Sequence, residues 1–72
     1  MKIIIVGCGK VGYVLTEQLT KEGHDITLID KDEDKLTRVS SNMDIFCVHG
    51  NGTSYATQME AGIKEADLLI SV

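Results

Sequence analysis

No proline, low-complexity tract or internal repeat interrupts this chain, so nothing in it excludes one continuous alternation of strands and helices. Its apolar runs reach only four or five residues, far short of the roughly 20 that span a bilayer. Nor does a basic, apolar and small-residue leader open it. The expectation from both is a soluble, cytosolic protein. Basic residues are few: seven, spread singly against eleven acids, for a net charge of −4. That balance leaves no electrostatic footprint for a nucleic acid. The two cysteines, Cys8 and Cys47, are not spaced as CxxC and a cytosol would keep both reduced, so neither a disulfide framework nor a zinc site is indicated. Neither His24 nor His49 has a carboxylate or cysteine set around it, so no metal centre is expected.

What the chain does have is Gly7-Cys8-Gly9-Lys10-Val11-Gly12, directly after the apolar run Ile3-Ile4-Ile5-Val6 and leading into a helical pattern. A lone acid, Asp30, closes the next apolar run. Together these form a dinucleotide-binding fingerprint in its strand, turn, helix and strand context. Gly7 permits the tight turn out of the strand, Gly9 lets the backbone approach a pyrophosphate, and Gly12 lets the helix pack on the sheet. The amides of the first helical turn, Gly9 to Val11, favour an anion through their unpaired N–H groups and the helix dipole. Cys8 reads as a small residue whose backbone faces phosphate, although a thiol beside a helix N-terminus can have its pKa lowered. Asp30 is placed to accept hydrogen bonds from both ribose hydroxyls. With the acids after it, it matches NAD(H) and repels a 2′-phosphate, and Lys31 softens that repulsion.

The remaining pattern is α/β with a parallel sheet. Strands are expected at Lys2 to Val6, Asp25 to Ile29, Asp44 to Val48 and Leu68 to Val72. A first helix from about Lys10 to Glu22 places Val11, Val14, Leu15 and Leu19 on one stripe and ends at Gly23. A second, capped by Asp32, turns Leu36, Val39 and Met43 to the sheet. The cluster His49-Gly50-Asn51-Gly52-Thr53-Ser54 breaks the chain, and Thr53 or Ser54 caps a short third helix whose Tyr55, Met59 and Ile63 form a packing face. Ligands of doubly wound sheets lie outside the carboxyl ends of the strands, which brings Asn51 and Gly52 near the adenine side; the alternative is that they only make a turn and a cap. Right-handed crossovers give a three-layer Rossmann-like sheet in the order 3-2-1-4, with the third crossover covering its face only in part. Residues 1–72 then read as the first half of a dinucleotide-binding fold, with Leu68 to Val72 as an apolar edge strand that invites a partner.

The words KIIIVGCGKVG, EGHDITLIDKDEDKL, VHGNGTS and MEAGIKEADLLISV cover nearly the whole chain. In them it resembles the N-terminal, nucleotide-binding lobe of TrkA-type regulatory subunits, in the RCK/KTN family that controls potassium uptake. The resemblance implies NAD(H), or alternatively ATP/ADP, at the glycine loop. It implies a homo-oligomer, a dimer or a larger even assembly, on the cytoplasmic face of a potassium-translocating membrane protein that it gates without catalysis. By position, Gly7, Cys8, Gly9, Lys10 and Val11 would hold the pyrophosphate, Asp30 the adenosine ribose, and Asn51 and Gly52 the adenine edge, with Gly12 and Lys31 completing the cofactor-binding set. Asn51 stands where the family usually has Asp, and the family's T-x-x-D-E-x-N continuation does not appear in these residues. The alternative is the cofactor half of an NAD-dependent oxidoreductase, but no catalytic His, Lys or Ser-Tyr-Lys set accompanies the fingerprint.

Overall fold

The computed structural model describes residues 1–72. Strand β1 (Lys2–Val6) sits between β2 (Asp25–Asp30) and β4 (Leu68–Ser71), and β3 (Phe46–His49) pairs with β2 on its far side. All three pairings are parallel and the order is 3-2-1-4. This is the α/β, Rossmann-like arrangement that the strand-helix alternation implies. Ile3, Ile4 and Ile5 are consecutive and all buried, as a strand covered on both faces requires.

Alternation along the strands divides the core in two. Ile3, Ile5, Ile26 and Leu28 point to the face covered by helices α1 (Lys10–Lys21) and α2 (Glu33–Asn42), where Leu36 and Val39 join them. Ile4, Ile29 and Val48 point to the other face and meet Ala61, Ile63 and Ala66 around the end of the short helix α3 (Tyr55–Glu60). No residue of α3 itself is buried, so this second face is thinly covered.

Two packing expectations are corrected. In α1, Val11 and Val14 are exposed, and the residues buried against the sheet are Gly12 and Thr16, flanked by the half-buried Leu15 and Leu19. The close approach at Gly12 sets the rotation of the helix, which turns the two valines outward. In α3, Tyr55 is 70% exposed and Met59 also faces solvent, because contact with the sheet is made after the helix, at Ala61 and Ile63. Four strand limits also shift, among them the end of β4, which stops at Ser71. β2 runs one residue further, to Asp30, and β3 starts at Phe46 and includes His49, because Asp30 and His49 are register partners.

Helix ends follow local chemistry. The Asp32 carboxylate accepts from the amides of Asp34 and Lys35 at the start of α2, and the Ser54 hydroxyl accepts from Thr57 at the start of α3. α1 ends in a Schellman motif: Gly23, at φ 89°, donates to Thr20 while His24 donates to Leu19. The same motif closes α3 through Gly62, which donates to Met59 while Ile63 donates to Gln58. The segment Ala61-Gly62-Ile63 is thus a helix stop whose flanking residues seal the second face. Asp67 then fastens β4 to β1, its amide donating to the Lys2 carbonyl and its carboxylate accepting from the Lys2 amide, both at 2.8 Å.

Candidate functional site

The glycine loop leaves β1 through Gly7, whose φ of 107° is strained for any residue with a side chain. A Cβ there would also lie 2.7 Å from the Val72 carbonyl oxygen. At Gly12 a Cβ would collide with the Gly7 carbonyl oxygen, so loop and helix touch backbone to backbone. Gly9 differs from both. Its φ is an ordinary −71°, and nothing lies within 4 Å of the place its Cβ would occupy. Packing does not require glycine at that position, and the space beside the backbone is open.

Gly9 is also the N-cap of α1, and no side chain caps this helix, in contrast to α2 and α3. The first bond into the helix runs from the Tyr13 amide to the Gly9 carbonyl at 2.8 Å, which leaves the amides of Lys10, Val11 and Gly12 without helical partners. No acid stands in the first turn, and Lys10 is there instead. A cation at the positive end of a helix dipole is unfavourable by itself and becomes favourable when an anion sits between them.

Asp30 lies across from this loop. One carboxylate oxygen accepts from the Cys8 amide at 2.9 Å and the other from the Asp32 amide at 2.7 Å, so the side chain ties the loop after β2 to the loop after β1. An ionised carboxylate has about four acceptor positions, so the two amides leave room for the Cys8 thiol and a ligand. Burial pushes the Asp30 carboxyl up, but the Asp32 and Cys8 amides, with help from Lys35, outweigh this and hold it below its usual value. The Cys8 thiol goes the other way. Burial and then the neighbouring Asp30 carboxylate push it to about 12, so it is a neutral packing group and the helix terminus does not activate it.

A cleft of about 260 Å³ joins Gly7 and Asp30 to Lys31, Gly50, Asn51 and Gly52. The structure therefore brings the ribose and adenine residues anticipated from the sequence to one opening beside the glycine loop. Asn51 departs in detail. Its side-chain oxygen accepts from both the amide and the hydroxyl of Thr53, so the carboxamide NH2 is the group left to meet a ligand. Gly52 is required by contact, since a Cβ there would collide with Val6, and its carbonyl accepts from Gln58 Nε2 at 2.8 Å. Several supporting residues escape a reading of motifs. His49 donates from Nε2 to the Lys31 carbonyl at 2.9 Å and steadies the loop after β2, and Gln58 and Thr57 pack under the loop after β3. Lys35 and Arg38 border the other side of the glycine loop together with Lys10.

The TrkA-N domain model matches residues 3–72. The chain belongs to the TrkA-N domain family. Over all 72 residues it is 44% identical to the Trk system potassium uptake protein TrkA of Halomonas elongata, and covers 16% of that protein. It is 39% identical to the protein of the same name from Streptomyces coelicolor, covering 32% of it. It is 37% identical over 71 residues to a TrkA homolog from Methanothermobacter thermautotrophicus, covering 33%. The chain therefore spans between about a sixth and a third of the length of these relatives. TrkA-N membership fits the site, since a dinucleotide-binding domain needs the open glycine loop, the uncapped helix and the acid found here. No helix is long and apolar enough to cross a membrane.

Proposed function

We propose that residues 1–72 form the nucleotide-binding part of a regulatory, non-catalytic module of a potassium uptake system, with NAD(H) or alternatively ATP/ADP as its ligand. The observation that carries this reading is the unfilled first turn of α1. Three helix amides, an uncapped Gly9 with free space at its Cβ position and a cation in place of the usual acid all ask for an anion there. The Gly7 to Gly12 loop would hold the pyrophosphate, Asp30 and Lys31 the adenosine ribose, and the Asn51 amide with Gly52 the adenine edge.

The relatives are named as potassium uptake proteins, which supports a membrane transporter as partner and a place on its cytoplasmic side. Exposed Leu68 and Leu69 on β4, next to a thinly covered sheet face, support a homo-oligomeric arrangement. Gating would follow from a difference in nucleotide affinity between two assembly geometries. Calorimetric titration of the chain with NADH and with ADP tests the binding step. Saturable, near-stoichiometric binding of either supports it, and heats no larger than dilution for both contradict it.

A further inference from the structure

Lys10 on α1 and Lys35 and Arg38 on α2 come together around a cleft of about 500 Å³, floored by Tyr13 and reaching the glycine loop at Cys8 and Gly9. These are three of the seven basic residues in a chain that carries eleven acids, and no acid lines the cleft. None of the three forms an ion pair, since the one ion pair in the structure joins His24 to Glu22, although Lys35 acts on the Asp30 carboxylate from a distance. Lys35 and Arg38 are three residues apart, which sets them side by side on one face of α2. Gathering three unpaired cations has a repulsive cost that a bound anion would remove. Guanidinium and ammonium groups around a concave wall match the oxygens of a phosphate.

We infer that this cleft between α1 and α2 is a subsite for a second phosphate group, centred on Lys35 and Arg38 and sharing Lys10 with the first turn of α1. The phosphate has two sources of the same chemistry: one carried on the ribose 2′ position of a bound nucleotide, or free inorganic phosphate. The first source meets opposition from Asp30, whose negative charge adjoins the cleft through Cys8. The three cations oppose that repulsion. The inference rests on the proposed nucleotide reading only for the ribose-borne source.

The test follows backbone amide resonances of the 72-residue chain during titration with 5′-ADP, 2′,5′-ADP and inorganic phosphate. Wild type is compared with the double variant Lys35→Gln/Arg38→Gln and with a charge-matched control, Lys21→Gln/Lys64→Gln. Thermal melts verify that each is folded. A ribose-borne phosphate predicts that 2′,5′-ADP binds at least ten-fold more tightly than 5′-ADP, with the gain lost in the Lys35/Arg38 variant and kept in the control. A free anion predicts that inorganic phosphate shifts the Lys35 and Arg38 amides of the ADP-saturated chain, with at least ten-fold weaker binding in the same variant. Either result supports the subsite. If neither probe shifts those amides, or both double variants lose affinity equally, the inference is overturned. Failure of 5′-ADP to move Gly7, Gly12 or Asp30 counts against the nucleotide reading instead, and inorganic phosphate on the nucleotide-free chain then decides this one.

Discussion

A methyl group at Gly12 would meet the Gly7 carbonyl oxygen, a backbone atom that can move only if the whole loop moves. Gly12→Ala is therefore expected to destabilise the fold by about 1–3 kcal/mol, as overpacking does, with the loss read from urea denaturation midpoints. Asp30 carries a different kind of stability. Its folded pKa lies below the unfolded one, so at low pH the unfolded chain binds the extra proton. The contribution is complete above the unfolded value near 4 and is lost as pH falls through the folded value. Melting temperatures measured from pH 7 down to pH 2 should show a steeper acid decline for the wild type than for Asp30→Asn. Equal slopes would mean that the Cys8 and Asp32 amides do not favour the ionised acid.

Among the elements, α2 depends on its cap. The Asp32 side chain satisfies two amides of the first turn and places negative charge at the positive end of the helix. Asp32→Ala should cost about 0.5–2 kcal/mol in thermal or denaturant unfolding, while Asp32→Ser, which keeps an acceptor, should recover most of it. Elements of this kind are legible in the sequence: apolar runs mark the strands, Asp32 the start of a helix and Gly23 the end of one. The orientation of α1 is not. Its valines form an amphipathic stripe on paper, yet the helix turns Gly12 and Thr16 inward because backbone contact with Gly7 outranks burial of Val11 and Val14. The face of α3 was misread for a related reason, since Ala61 and Ile63 beyond the helix do the covering that Tyr55 and Met59 seemed suited to do. At the site, Gly7, Gly12 and Asp30 were readable from spacing. The meeting of Lys10 with Lys35 and Arg38 was not, because it depends on how two helices lie across a sheet.

For the molecule as a whole, the parallel sheet aligns the carboxyl ends of β1, β2 and β3, and the loops that follow them, at Gly7, Asp30 and Gly50 to Gly52, share one opening. The most direct test of ligand binding there is Gly9→Ala. Alanine is sterically free at this position, with ordinary φ and nothing within 4 Å of the new methyl, so the fold loses only the modest preference for glycine over alanine at an N-cap. A pyrophosphate drawn up against the backbone, as proposed, would object. Calorimetry with NADH and ADP on the wild type and this variant, each paired with a thermal melt, separates the two demands. The account predicts a stability change of less than about 1 kcal/mol and at least ten-fold weaker nucleotide binding. Nucleotide affinity unchanged in a stably folded Gly9→Ala chain would contradict it.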